Sequence, residues 1–248
     1  MNMKIGTVIT IFEKGWQELF QPLLAHDFDH FELLPENSQV YTIKELQDYL
    51  QGREVILHAP FIQSNFISQD KLFRQAAKEY LLKELKPLVE AFDPAVITTH
   101  LGSFPFIYPD HDFSEFQQLQ KEIPACVMEN MPGDDNLWRK SYPSTEEECD
   151  YVLTTLNGKM TFDVGHFMKQ DLDVYRLVEK YLPQIVDIHL HDFVEGKDHH
   201  PLGTGSLDVE RFVKILLKHN YQHYLTIELH HDNVEGMIKS HQLVKSFL

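Results

Sequence analysis

Residues 160–191 read MTFDVGHFMKQDLDVYRLVEKYLPQIVDIHLH. A short apolar run, Met160–Asp163, ends in a carboxylate. A helix-like stretch, Leu172–Tyr181, follows, and a second apolar run, Ile185–His191, ends in imidazoles. Two such runs joined by a helix-length segment make a βαβ unit, whose strands lie parallel. The rhythm continues outward from it. Strands are expected at Lys4–Thr10, Asp29–Leu34, Glu54–His58, Ala95–His100, Ala125–Glu129 and Tyr224–Glu228. Helices are expected at Lys14–Ala25, Ile43–Gln51, Gln69–Ala91, Ser114–Glu122, Thr145–Leu156, Val209–His219 and Val234–Phe247. Eight strand–helix pairs in 248 residues fit an α/β chain folded as one (β/α)8 TIM barrel, a single domain over residues 1–248. An open doubly wound sheet would favour a Gly-rich phosphate turn after the first strand, and Thr10-Ile-Phe-Glu-Lys-Gly15 is not one.

Local signals refine the helices. Ser144-Thr145-Glu-Glu-Glu148 contains overlapping capping boxes, and Ser114, Asp171 and Asp208 can accept from free helix N–H groups. Pro87 removes a donor inside the third helix, so a kink or restart is expected there.

In a parallel barrel the strand ends meet at one mouth. Here they read His58-Ala-Pro, His100-Leu-Gly, Glu129-Asn130, Asp163-Val-Gly-His166, His189-Leu-His191-Asp192 and Glu228-Leu-His230-His231. A lone histidine at a strand end is ordinarily a surface or hydrogen-bonded residue. Six successive strands ending this way are a different matter. Carboxylates packed together raise one another's pKa unless a cation neutralises them, so Glu129, Asp163 and Glu228 call for a metal or a shared proton. Imidazoles beside them favour Zn or Mn over Mg or Ca. A metal site at the C-terminal strand ends is therefore expected. Strand parity points Ile56, Thr98, Val127, Thr161, Asp187 and Thr226 inward one layer below. The threonines either orient ligands or fill β positions that suit them. Asp187 is expected to orient an imidazole, His189.

The remaining composition narrows the partners. The chain is 43% hydrophobic and 24% charged, with a net charge of −16. That suits a globular protein and opposes binding to phosphate backbones or anionic membranes. No run approaches the ~18 apolar residues of a membrane span. MNMKIGTVIT lacks the apolar region and cleavage site of a signal peptide, and Cys126 and Cys149 make no disulfide framework, so a cytoplasmic location is expected. Fifteen histidines are the unusual count, since imidazole is the commonest metal ligand.

Taken in order, His58-Ala-Pro, His100, Glu129-Asn130, Asp163-x-x-His166, His189-x-His191-Asp192, His199-His200-Pro-Leu-Gly203-Thr-Gly205 and Thr-Ile-Glu228 resemble the xylose isomerase-like TIM-barrel superfamily. That superfamily joins sugar isomerases and epimerases with endonuclease IV and the AP endonuclease family 2. The resemblance covers the whole chain and implies roles. Glu129, Asp163, His189 and Glu228 match the shared metal set. His58 and His100 match the further imidazoles of the endonuclease-like site. His166 and His199-His200 match the region that supplies a third metal. Lys197 stands where that pattern expects an aspartate, and Asp198 with His200 would replace it only if the loop slips by one residue. The implied cofactor is a divalent ion, Zn or Mn, in one to three copies.

Two activities follow from the resemblance. The first is a metal-dependent isomerase or epimerase of a small sugar or sugar phosphate, working through a metal-stabilised ene-diolate. Glu129 and Glu228 would be its general base and acid, on opposite faces of the substrate, with His166 on a substrate oxygen. His191, Trp138 and Arg139 would contact substrate, Phe104, Phe106, Tyr108 and Trp138 would wall the pocket, and Arg139 and Lys140 could meet a phosphate. The second is zinc-dependent phosphoester hydrolysis like that of endonuclease IV, which His58 and His100 favour. Nucleic acid is disfavoured as its substrate. The loops Ala59–Asp70, Leu101–Phe113 and Leu229–Glu235 hold no Lys or Arg, and only Arg139, Lys140, Lys169 and Lys197 lie near the expected mouth. A non-catalytic sugar-binding barrel fits the metal set least. The resemblance is compatible with a homodimer.

Overall fold

The apolar runs form eight parallel strands that close into a barrel in sequence order. They are β1 (Lys4–Thr10), β2 (His30–Leu34), β3 (Glu54–His58), β4 (Ile97–Thr99), β5 (Cys126–Glu129), β6 (Met160–Asp163), β7 (Ile185–Leu190) and β8 (Tyr224–Ile227). The computed structural model describes residues 3–104, 111–135, 139–156 and 158–248. Lys4 pairs with Tyr224, so β1 and β8 seal the barrel. This is a TIM barrel, as the strand rhythm requires.

Around it run α1 (Trp16–Phe20), α2 (Ile43–Leu50), α3 (Lys71–Phe92), α4 (Ser114–Glu122), α5 (Glu146–Leu156), α6 (Val164–Lys169), α7 (Val174–Tyr181), α8 (Val209–Lys218) and α9 (Val234–Lys245). The short helix α6 is additional to the sequence reading, and four further details differ from it. The first helix stops at Phe20 and continues as a 3-10 turn over Gln21–Ala25, with Pro22 near its start. The third runs through Pro87 unbroken. Pro87 and Lys83 face solvent, so the carbonyl that loses its N–H partner can be hydrated. Ser114 is not a cap: Asp112 Oδ1 accepts its N–H at 2.9 Å. Asp173 rather than Asp171 caps α7, accepting from Tyr175 and Arg176. The Thr145–Glu148 box and the Asp208 cap form as expected.

Two apolar zones hold the fold. The larger lies between strands and helices and includes Phe20, Phe31, Phe116, Phe162 and Phe212. The smaller is inside the barrel: Ile56, Val96, Val127, Val186 and Tyr224. A register shift between Ile185 and Asp187 makes room for Val186 there. Above this floor the interior turns polar. Thr98 Oγ1 lies 2.8 Å from Thr161 Oγ1, and Thr226 donates to Asp187 at 3.0 Å. The inward layer read from strand parity is thus in place. Among the described residues no helix is long and apolar enough to cross a membrane.

Candidate metal centre

Each strand end delivers its polar side chain to the mouth, and local hydrogen bonds set which atom faces inward. His58 Nδ1 lies 2.9 Å from the Ala59 carbonyl, which places the proton on Nδ1 and leaves Nε2 free. His166 does the same against the Asn130 carbonyl at 2.9 Å. Asp163 caps α6 by accepting the His166 N–H at 2.6 Å, which fixes the Asp-x-x-His spacing. Gly165 sits between them because a Cβ there would lie 1.9 Å from His191 Nε2.

The donor atoms gather in adjoining groups. Glu129, Asp163, His189 and Glu228 each offer an atom within 4.8 Å of the others. At its centre, His189 Nδ1 is 2.9 Å from Glu228 Oε2 and 3.1 Å from Glu129 Oε1. The other Glu129 oxygen, Oε2, is 2.8 Å from His100 Nε2 and 3.6 Å from His58 Nε2. Glu129 therefore joins two groups through its two oxygens. His166, Asp198 and His199 form a third, and Asp163, His191, His199 and Glu228 a fourth.

The donor set fits a divalent ion. Glu129 Oε2, Asp163 Oδ2, Glu228 Oε2 and both His191 nitrogens are buried without an aligned hydrogen bond among the described residues. Buried polar atoms are rarely left so unless something else takes them. The charges of these groups are tightly linked. Burial, together with the Glu129 and Glu228 charges, pushes the Asp163 carboxyl well above the usual range. Burial also works to raise Glu129 and Glu228, but the imidazoles around them, His189 foremost, hold both well below it. Burial takes His166 down to about 4, so it is a neutral donor near pH 7. Three carboxylates and one imidazole around one point, with further imidazoles in the adjoining groups, are a donor set that Zn or Mn accepts.

The third group departs from the sequence reading in its partners. Asp198 joins His199 directly, with Asp198 Oδ1 3.2 Å from His199 Nδ1, and no loop slip to His200 is needed. His199 has a φ of 59°, which lets adjacent side chains converge on His166. An antiparallel hairpin, Asp192–Val194 with Lys197–His200, carries the pair. Asp192 anchors the loop that follows, accepting from the N–H groups of Gly203, Gly205 and Leu207.

The family model described as Xylose isomerase-like TIM barrel matches residues 20–247. The chain belongs to that family. Similar proteins include an inosose dehydratase from Clostridium botulinum (strain Eklund 17B / Type B), 28% identical across 41% of this chain. The match spans 43% of that protein's length, under half. Among solved structures, a D-tagatose 3-epimerase-like protein superposes with a TM-score of 0.81 at 22% identity, covering 99% of this chain and 97% of that one. D-psicose 3-epimerase from Clostridium cellulolyticum H10 gives 0.76 at 16% identity, over 99% and 98%. An AP endonuclease, family 2, from Brucella melitensis gives 0.77 at 13% identity, over 97% and 98%.

The family's barrel mouth is here a cavity of about 330 Å³. His58, His100, Glu129, His166, His199 and Glu228 open onto it. His191 does not line it; it is fully buried beneath, in the fourth donor group. Among the described residues its aromatic walls are Phe12 and Phe61. The expected wall residue Phe104 packs instead on His111 and Tyr142. Phe106, Tyr108, Trp138 and the Arg139 side chain lie outside the described residues. Lys140 pairs with Glu148, and Lys169 with Asp198 at 3.3 Å. No Lys or Arg lines the cavity among the described residues.

Strand-end reading missed Glu32 and His30, both buried inside the barrel on β2. The signal was present: two polar residues at alternate positions in an otherwise apolar strand. His189 Nε2 lies 3.0 Å from Glu32 and 3.5 Å from Asp187, so Asp187 is the more distant of two carboxylates beneath it.

Proposed function

We propose that the chain is a divalent-metal-dependent isomerase or epimerase of a small sugar or related polyol ketone. The observation that carries this reading is the convergence of Glu129, Asp163, His189 and Glu228 on one point, with Glu129 and Glu228 also open to the cavity. A Zn or Mn ion held there would polarise a carbonyl and its neighbouring hydroxyl and so acidify the C–H between them.

The chain's own groups do the rest. Glu129 Oε1 faces the ligand group while Oε2 faces His100 and His58, so one carboxylate can both bind and exchange a proton. Glu228, the other carboxylate at the mouth, is the partner that returns the proton. His166 presents Nε2 to a substrate hydroxyl. Phe12, Phe61 and Leu229 wall the cavity and exclude water. Similarity to sugar epimerases and to an inosose dehydratase supports the substrate class.

A second reading, phosphoester hydrolysis, is favoured by the additional groups His58–His100–Glu129 and His166–Asp198–His199. A net charge of −16 and a cavity lined by no described Lys or Arg disfavour nucleic acid as its substrate. One experiment separates the readings. The metal-loaded chain is incubated in D2O with a panel of ketoses, ketose phosphates and inososes, and separately with an abasic duplex and small phosphoesters. Deuterium entering carbon next to the carbonyl supports the isomerase; phosphoester cleavage without exchange overturns it.

A further inference from the structure

Glu32 is fully buried on β2, facing the barrel interior below the mouth. Its Oε2 lies 3.0 Å from His189 Nε2. The N–H direction of the ring misses the oxygen, and neither Glu32 oxygen nor His189 Nε2 has an aligned partner among the described residues. The alternative acceptor, Asp187, is already engaged. It takes the Thr226 hydroxyl at 3.0 and 3.1 Å and the Ile188 N–H at 2.8 Å, and stands 3.5 Å from the imidazole. Thr226 is itself 2.9 Å from His30 Nε2, so Asp187, Thr226 and His30 form a hydrogen-bonded chain on that side of the floor.

We propose that Glu32 is the positioning residue for His189: it accepts a hydrogen bond from the Nε2–H, so that Nδ1 carries the lone pair toward Glu129, Asp163 and Glu228. The chemistry is that of a neutral imidazole, which can accept at only one nitrogen when the other is protonated. A ligand imidazole without such a partner samples both tautomers and tilts, and loss of the partner typically costs about 10–100-fold in metal affinity. Glu32, which with Asp187 and His189 forms a further group of close donor atoms, is thereby assigned to the imidazole and not to an ion.

This inference rests on the metal reading of the site, and the test keeps the two apart. Mn affinity of the full chain is measured by electron paramagnetic resonance for wild type, Glu32→Leu, Glu32→Gln and Asp187→Asn, each checked for folding by circular dichroism. Glu32→Leu is expected to bind about 10–100-fold more weakly, with Glu32→Gln, which keeps an acceptor oxygen, recovering part of the loss. Asp187→Asn is expected to change affinity less than either. Affinity unchanged in folded Glu32→Leu, or a larger loss in Asp187→Asn, overturns the assignment while leaving the metal reading intact. A wild-type chain that binds neither Mn nor Zn overturns both. A second measurement reads the ring itself. In the 15N-labelled, Zn-loaded protein, a protonated His189 Nε2 whose signal moves in Glu32→Gln and stays in Asp187→Asn supports the proposal, and a protonated Nδ1, or a signal unmoved in Glu32→Gln, contradicts it.

Discussion

Asn130 and Asp163 exchange two hydrogen bonds: Asn130 Nδ2 donates to the Asp163 carbonyl at 2.9 Å, and the Asp163 N–H donates to Asn130 Oδ1 at 2.8 Å. The side chain of one residue thus closes a backbone-like ladder with the next strand, at the level where both strands present their carboxylates. The pair fixes the spacing between Glu129 and Asp163, and the Asn130 carbonyl also sets the His166 tautomer.

Asn130→Ala leaves a buried N–H and a buried carbonyl without partners. The expected cost is about 2–6 kcal/mol, since each orphaned group costs roughly 1–3 kcal/mol. Urea denaturation at pH 7 measures it, and a loss under about 0.5 kcal/mol would mean the ladder is dispensable.

Gly165→Ala tests the packing under the mouth. The added methyl would lie 1.9 Å from His191 Nε2, so the ring or α6 must move. Overpacking of this kind costs about 1–3 kcal/mol or more. Weaker metal binding should accompany it, because His191 shares a donor group with Asp163, His199 and Glu228. Calorimetric titration with Mn checks this, and unchanged affinity would remove His191 from the centre.

Much of this is legible in the sequence. The strand rhythm gave the barrel because apolar runs and helices alternate at fixed lengths. Parity placed Thr98, Thr161 and Thr226 inside for the same reason. Glu32 was not found, because attention to strand ends passes over a strand that ends in Leu34. Sequence spacing admits Asp198 only with His200 after a one-residue slip because it assumes ordinary backbone, and the positive φ of His199 lets Asp198 join His199 instead. The cavity walls Phe12 and Phe61 come from loops, where no periodicity marks a side chain's direction.

Stability should fall in mild acid through His30. Burial pushes its pKa from 6.5 down to about 4, against the raising charges of Asp187 and Glu54. The unfolded chain then binds more protons than the folded one between those values. This contribution is complete above pH 6.5 and is lost as pH falls toward 4, by roughly 3 kcal/mol at 1.36 kcal/mol per unit. His30→Phe should flatten the stability profile in that window. Parallel profiles for variant and wild type would contradict it.

Glu129→Gln and Glu228→Gln should each reduce C–H exchange by at least about 100-fold, the lower end of what a positioned acid or base contributes. Retained exchange in either would break the proposed pair.

The most direct test is metal stoichiometry by plasma mass spectrometry on chelator-stripped chain re-equilibrated with Mn or Zn and desalted. The account predicts at least one ion per wild-type chain. A wild-type chain that retains no ion would contradict it.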